Sequence, residues 1–293
     1  MKKKGMSGQI ILHIFFVCLS LAYIIPFLLL ISISISSDQA IKEFGYTILP
    51  KTFDLSAYRM IFKSPDTILT AYKVTTIFSL TTMVLSVLVM MMAAYPLSRS
   101  SCVLKKPLSY YIFFTMIFSG GMIPSYIINS KYLHLNDNIL IYILPSLVNA
   151  WNVIVIRTFF QGLPNGLVEA AKIDGAGEAY IFAKIIIPLS KPVIATMCFL
   201  TLLAKWNDWN TSLIYIRNEK LYSLQYLLQR ILREVEFVKN SVSQGNDLLN
   251  VADLPTESVR YAMALIAAGP MLVMFPFFQK YFSRGLTVGA IKG

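Results

Sequence analysis

The polar residues best suited to bind a partner lie in the segment 169–192, which reads EAAKIDGAGEAYIFAKIIIPLSKP. It combines three carboxylates with alanines, two glycines and two prolines inside an otherwise apolar chain. Such small residues allow another surface to approach the backbone closely. The residues by themselves are compatible with two roles: an amphipathic helix lying on the lipid surface, which the lysines would tolerate, or a docking element for a soluble protein.

The local pattern of this segment predicts a helix, a break and a second helix. The first helix follows Leu163-Pro164-Asn165 and ends at Gly175, because glycine readily adopts the left-handed conformation that stops a helix. The second piece covers 178–187, and Pro188 is expected to end it. Its apolar face is formed by Ile181, Phe182, Ile185 and Ile186.

A second group of polar and aromatic residues could contact a solute such as a sugar. Aromatic faces stack on sugar rings, and amides or carboxylates hydrogen-bond hydroxyl groups. The candidate substrate-pathway residues are Trp151, Asn152, Trp206, Asn207, Asp208 and Trp209. Two other interpretations fit as well: an aromatic belt at the outer membrane interface with a snorkelling Lys205, and hydrogen bonds between helices in the case of Asn149 and Asn152.

Motifs typical of catalysis are absent from the sequence. It has no phosphate-binding G-x-x-x-x-G-K-[ST], no H-E-x-x-H and no G-x-S-x-G, and His13 and His134 stand far apart. The three cysteines have neither metal-binding nor redox spacing. We therefore predict no catalytic, cofactor-binding or metal-binding residues in this chain. An intramembrane enzyme is the alternative hypothesis from a different functional class.

The elements that must position these residues are predicted to be membrane-spanning helices. Of the 293 residues, 56% are hydrophobic and only 14% are charged, and the mean hydropathy is +0.62. Soluble domains carry roughly 25% charged residues. Apolar runs long enough to cross a bilayer occur at 10–35, 74–98, 107–130, 139–156, 192–216 and 261–279. We predict one all-α transmembrane domain over residues 1–293, with outer loops at 37–72 and 217–260.

Basic residues indicate the orientation of these six predicted spans. The segments predicted to lie on the same side of the membrane as the N terminus contain 13 of the 26 lysines and arginines but only three of the 15 acidic residues. Both termini and the loop 163–191 are therefore predicted to be cytoplasmic. The same asymmetry explains the net charge of +11 without a nucleic-acid partner. A cleaved signal peptide is the less favoured interpretation of the first run, because its apolar stretch is too long.

Several motifs together resemble the membrane subunits of bacterial ABC importers. The order Glu169-Ala170-Ala171, Asp174-Gly175-Ala176, Phe182, Ile185, Pro188-Leu189 and Pro192 is similar to the EAA loop of these permeases. FSGGMIPSYIINSKYLHLNDN at 118–138, WNDW at 206–209 and GLTVGAIKG at 285–293 extend the match over most of the chain. The resemblance is to the carbohydrate-uptake branch, particularly the maltose-type G permease and the LplC/YtcP-like permeases.

This resemblance implies a type I ABC importer fold in the bacterial plasma membrane. The EAA loop would be a cytoplasmic coupling helix seated on a separate ATPase dimer, which binds ATP and magnesium. The implied ATPase-coupling residues are Glu169, Ala170, Ala171, Asp174, Gly175 and Ala176, with weaker contacts from Gly289, Lys292 and Gly293. A second, different permease subunit and an extracellular solute-binding protein would complete the transporter. The expected function is import of an oligosaccharide or sugar derivative by alternating access; the alternative is a peptide, an amino acid or another small solute.

Overall fold

The computed structural model describes residues 6–63, 65–243 and 257–290. Regular structure in these ranges is helical, apart from one isolated antiparallel bridge between Ser36 and Phe53. The helices are α1 Met6–Ser34, α2 Asp38–Phe44, α3 Ser56–Ile61, α4 Pro65–Ser98, α5 Lys105–Ile117, α6 Met122–Ile127, α7 Leu140–Ile143, α8 Ala150–Gln161, α9 Asn165–Ile173, α10 Glu178–Ile181, α11 Ile187–Leu189, α12 Lys191–Trp206, α13 Asn210–Tyr215, α14 Leu224–Ser243 and α15 Glu257–Ala290. The weaker contact candidates Lys292 and Gly293 lie outside the described residues, whereas Gly289 falls within α15.

Three of the described helices are long and apolar enough to cross a membrane unaided. The stretches that qualify are Gly8–Ser34, Pro65–Ser98 and Glu257–Lys280. Three further candidates are pairs of helices with a sharp bend between them, so up to six crossings can be formed by length and composition. All predicted spans thus fall on helices, but only three are continuous.

The predicted third span, 107–130, is wrong as a single helix. Helix α5 ends at Ile117, and the chain bends by 110° before Met122–Tyr132. Gly121 in the break has a φ of 83°, which a continuing right-handed helix does not permit. The fourth span is also broken: Leu140–Ser146 and Ala150–Gln161 meet at 50°. Its second half begins where the side chain of Asn149 accepts a hydrogen bond from the amide of Asn152 at 3.0 Å.

The fifth predicted span, 192–216, is interrupted as well. Helix α12 ends at Trp206, and α13 begins only at Asn210. Asp208 lies in the interruption and accepts hydrogen bonds from both the amide and the hydroxyl of Thr211. These local hydrogen bonds offer the backbone an alternative to continuation of α12. At the N-terminal side, Glu178–Leu189 and Lys191–Trp206 meet at 79°.

The described structure falls into two compact units. The smaller comprises the described residues within 1–68 and 227–270, and the larger comprises those within 69–226 and 271–293. In the smaller unit, Asp38 accepts hydrogen bonds from the amides of Glu257 and Ser258 at 3.1 and 3.0 Å. The hydroxyl of Ser258 also donates to Asp38 at 2.6 Å. A carboxylate far away in sequence thus satisfies the free amides at the start of α15.

The larger unit has a core built on the second half of α4. Met90, Ala94 and Leu97 are fully or almost fully buried and pack with Ile156 and Phe160 of α8. A second cluster forms around Tyr142, whose ring stacks on Phe78 with centroids 4.1 Å apart. These two clusters position the candidate sites described next.

Candidate functional site

The segment predicted to dock a partner folds as α9, a tight turn and α10. Gly175 has a φ of 81°. The amide of Ala176 donates to the carbonyl of Ala171 at 2.9 Å, and the amide of Gly175 donates to that of Lys172 at 3.1 Å. This pair of hydrogen bonds is a Schellman motif, which requires a left-handed residue after the helix. Gly175 therefore ends α9 in the predicted conformation.

One side of this loop is packed into the core of the larger unit. Val168 is buried, and Ala171 and Ala176 pack against the same cluster. The predicted apolar face of the second piece is confirmed, because Ile181 and Ile186 are completely buried and Phe182 and Ile185 pack beside them. The prediction that Pro188 ends this piece is wrong. The wide π-helical turn at Phe182–Ile186 precedes it, and the helix continues to Leu189.

The opposite side of α9 is exposed and presents an apolar stripe. Leu167, Ala170 and Ile173 recur every third residue and so share one side of the helix. Ile173 has 86% of its surface exposed, and Leu167 has 47%. Glu169 and Asp174 are exposed beside them. This arrangement, an ordered helix with one side fixed and an apolar side free, suits the binding of another protein surface.

A polar contact fixes the turn to the end of α4. The ammonium group of Lys172 and the carboxylate of Glu178 are 2.6 Å apart, and the hydroxyl of Tyr95 donates to the same carboxylate at 2.5 Å. The Tyr95 ring also contacts Phe182, with centroids 5.1 Å apart, and carries the Arg99 guanidinium 4.8 Å above it. Hydrogen bonds to Glu178 from Lys172 and then from Tyr95 lower the pKa of this carboxyl, which lies outside the predicted spans.

The predicted coupling residues thus divide into two groups. Glu169, Ala170, Asp174 and Gly175 are exposed, whereas Ala171 and Ala176 are partly buried and anchor the loop. Their roles toward an ATPase stay predictions. Sequence reasoning missed Tyr95, which lies in a long apolar run where a tyrosine attracts no notice. Its only sequence signal is Arg99 four residues later, at the spacing of side-chain neighbours on a helix.

A second candidate site is a pocket of about 550 Å³ between α8, α12 and the segment before α8. Asn149 and Asn152 contribute amides to its wall, Trp151 contributes an indole ring that is half exposed, and Lys205 contributes an amine. Thr201 also lines it, and its buried hydroxyl has no hydrogen-bond partner among the described residues. The lining combines a flat aromatic face with several hydrogen-bonding groups, as ligand pockets commonly do.

The other predicted substrate-pathway residues are not in this lining. Trp206 is only 4% exposed, and its ring lies 6.2 Å from that of Tyr72. Asn207 is exposed and donates to the carbonyl of Leu203 at 2.8 Å, whereas Trp209 is partly buried immediately before α13. Asp208 reaches the pocket indirectly, because its carboxylate is 2.9 Å from the Lys205 ammonium. The substrate roles of all four residues stay predictions.

Comparisons with known proteins agree with the architecture and with the motifs. Residues 5–288 match the family described as binding-protein-dependent transport system inner membrane component. The Polygalacturonan/rhamnogalacturonan transport system permease protein YtcP of Bacillus subtilis (strain 168) is 33% identical over 99% of this chain and 100% of its own length. Protein LplC of the same organism is 36% identical over 92% and 90% of the two chains.

A solved structure is similar over almost the whole chain. It is the crystal structure of a bacterial ABC transporter involved in the import of the acidic polysaccharide alginate. One chain of it superposes with a TM-score of 0.76 at 28% identity and covers 96% of this chain and 100% of its own length. The predicted all-α permease fold and the predicted role as a transport subunit rather than an enzyme are thereby confirmed. This chain belongs to the family of inner membrane components of binding-protein-dependent transport systems.

Proposed function

We propose that this chain is one of two different permease subunits of an ABC importer and that α9 couples it to a cytoplasmic ATPase. The observation that carries the proposal is the division of α9 into two sides. Its inner side is packed into the core, while its outer side presents Leu167, Ala170 and Ile173. Lys172 of α9 also pairs with Glu178 of α10, which accepts a hydrogen bond from Tyr95 of α4. A force on the outer side is therefore transmitted to α4 through packed and hydrogen-bonded groups.

Charge asymmetry supports the orientation that this role needs. With the N terminus on the cytoplasmic side, α9 faces the compartment that contains ATP. Nucleotide binding would close the ATPase dimer and carry α9 with it, and the apolar helices would then alternate between outward-open and inward-open arrangements. In this scheme the ATPase holds ATP and magnesium, and a solute-binding protein delivers the solute from outside.

The proposed cargo is an acidic oligosaccharide. In the pocket beside α8, Trp151 can stack on a sugar ring and Asn149 and Asn152 can bind hydroxyl groups. Lys205 adds an ammonium group, which is rare in membrane-embedded segments. It is paired with Asp208 at 2.9 Å and has further N–H donors that suit a uronic acid carboxylate. The names of YtcP and of the alginate importer refer to acidic or uronic-acid-containing polysaccharides, and these relatives support the same class of cargo.

The coupling role can be tested by purifying the tagged chain in mild detergent from native membranes and identifying its companions by mass spectrometry. Gly175→Asp adds a charge and places a side chain at a φ of 81°, whereas Gly177→Asp adds the same charge at a φ of −73°. The expected result is that the wild type and Gly177→Asp retain an ATPase and a second permease, and that Gly175→Asp loses the ATPase alone. Absence of both companions from the folded wild type would contradict the proposal.

The cargo can be tested by uptake of labelled saccharides in cells that lack the chain and regain it. Oligomers of galacturonic acid are compared with neutral maltooligosaccharides of the same length. Lys205→Gln would leave the Asp208 carboxylate without its partner, so the matched control is the double variant Lys205→Gln/Asp208→Asn. We expect uptake of the acidic oligomer to fall in both variants. Restoration of acidic uptake in the double variant would contradict a carboxylate-binding role of Lys205.

A further inference from the structure

A pocket on the predicted cytoplasmic side has the properties of an anion site, and Glu169 is the one predicted ATPase-coupling residue in its lining. Its volume is about 400 Å³, and it is enclosed by the end of α4, the start of α5 and one side of α9. Arg99, Lys105 and Lys172 line it together with the carboxylate of Glu169. Three cations from three separate elements thus converge on one cavity.

Arg99, which lines this pocket, has two hydrogen-bond donors without a partner among the described residues. Its Nε and Nη2 atoms are buried, and no described residue accepts a hydrogen bond from either. The guanidinium plane is held over the Tyr95 ring at 4.8 Å. Nε and Nη2 form one edge of the guanidinium group, and this edge matches two oxygens of a phosphate or carboxylate. Buried donors without partners cost free energy, and an oxyanion toward which the Arg99 side chain turns this edge would relieve that cost.

The charge around the pocket favours a singly charged anion. Lys172 is already paired with Glu178 at 2.6 Å, and Glu169 also lies in the wall. Three cations against these two carboxylates leave one positive charge. A phosphodiester carries one negative charge, whereas a phosphate monoester or free phosphate carries about 1.5 to 2 at neutral pH. Electroneutrality therefore favours the diester.

Two cations of the pocket lie at the ends of predicted spans, where lipid head groups are expected. Arg99 directly follows the last residue of α4, and Lys105 is the first residue of α5. Both residues flank the ends of predicted apolar spans, where a bilayer changes from hydrocarbon to head groups. Basic pockets between helices on the cytoplasmic side are the kind of site that binds anionic head groups.

We infer that this pocket binds the phosphate of an anionic phospholipid and that the bound head group braces α9 against α4 and α5. The inference takes the membrane orientation from the proposed function. It concerns lipid rather than the ATPase, and it is tested on the chain without any ATPase. Because Lys172 and Glu169 belong to α9, occupancy of the pocket stabilises the coupling helix in its packed position.

The test measures lipid binding to the purified, delipidated chain by native mass spectrometry and by thermal unfolding. Phosphatidylglycerol, phosphatidylcholine and inorganic phosphate are titrated separately. The wild type is expected to bind phosphatidylglycerol about tenfold more tightly than phosphatidylcholine, and Arg99→Gln is expected to lose that preference. Arg99→Lys keeps the charge but loses the two-donor edge, so we expect partial retention. The matched control Lys184→Gln removes an exposed lysine that lies outside the pocket lining and should behave as the wild type.

Each other outcome has a definite meaning. Equal losses in Arg99→Gln and Lys184→Gln would show a general charge effect and overturn the site. If inorganic phosphate displaces the lipid at similar concentrations, the source is a soluble phosphate and the lipid assignment is wrong. Should Arg99→Gln fail to fold, Lys105→Gln removes a second cation of the pocket without disturbing the Tyr95 ring. A wild type without lipid preference that still retains its ATPase would overturn this inference and leave the proposed function intact.

Discussion

The left-handed turn that ends α9 can be tested by adding a single methyl group at either of two glycines. Gly175 has a φ of 81° and Gly177 has a φ of −73°. A Cβ atom at either position meets no other atom within 4 Å, so steric overlap does not distinguish them. Gly175→Ala and Gly177→Ala therefore differ chiefly in backbone conformation.

The expected magnitude follows from this difference. Replacing glycine by alanine restricts the unfolded chain and stabilises the protein by about 0.4–1 kcal/mol at either position. At Gly175 alone, the left-handed conformation costs a residue with a Cβ atom about 1–2 kcal/mol. Because the unfolded-state contribution is shared, the two variants should differ by about 1–2 kcal/mol, which is a factor of about 5–30 in the population of the native turn.

Hydrogen exchange at the Ala176 amide is the direct assay, because this amide donates to the Ala171 carbonyl within the turn. Its protection is expected to fall in Gly175→Ala by about 5–30-fold relative to Gly177→Ala. Retention of the ATPase in pull-downs should weaken in the same order. Equal protection in the two variants would refute the conclusion that the left-handed glycine holds the end of α9.

Three further predictions concern contacts that hold the described structure together. The pKa of Glu178 in the folded protein lies below its usual value of 4.5. The ionised carboxylate therefore stabilises the fold above pH 4.5, and this contribution is lost as the pH falls through the lowered pKa. Glu178→Gln should therefore lower the melting temperature at pH 7, with a smaller deficit near about pH 4, and an equal deficit at both pH values would contradict this. Asp38→Ala removes acceptors from three donors at the start of α15 and should cost about 1–2 kcal/mol in denaturant unfolding, whereas an unchanged midpoint would argue against this cap. Tyr142→Phe removes bonds to the Ser212 hydroxyl and the Leu221 carbonyl and should cost about 1–3 kcal/mol, with a loss below about 0.5 kcal/mol counting against the network.

Features set by neighbouring residues could be predicted from the sequence. The end of α9 follows from one glycine next to an amphipathic helix, and the apolar face of Ile181 and Ile186 follows from helical periodicity. The apolar character of α1, α4 and α15 was equally clear, because long uncharged runs have few alternatives in a membrane protein. These parts of the fold agree with the structure.

The breaks in the remaining spans were missed because a hydropathy window averages over them. Gly121 follows another glycine, and its positive φ ends a helix that apolar composition alone would continue. Asp208 places a charge in the fifth apolar run, but its hydrogen bonds to Thr211 depend on where its carboxylate points. In the first case a backbone preference, and in the second a side-chain hydrogen bond, outweighs the surrounding apolar residues.

Contacts between distant residues could not be predicted from one sequence. Tyr95 and Glu178 are 83 residues apart, and their hydrogen bond depends on how α4 packs against the coupling loop. The meeting of Arg99, Lys105 and Lys172 in one pocket depends on three elements at once. Neither arrangement leaves a periodic or spacing signal in the chain, because each is produced by tertiary packing.

Covalent capture of the partner of α9 tests the central claim most directly. A photoreactive benzoylphenylalanine replaces Ile173, which is 86% exposed on the outer side of α9, and in a matched control it replaces Tyr132, which is 75% exposed and lies on the opposite predicted side of the membrane. After illumination of native membranes, the Ile173 position is expected to cross-link to an ATP-hydrolysing protein and the Tyr132 position is not. Cross-links from Ile173 only to lipid would contradict the coupling role and would support an interfacial helix instead.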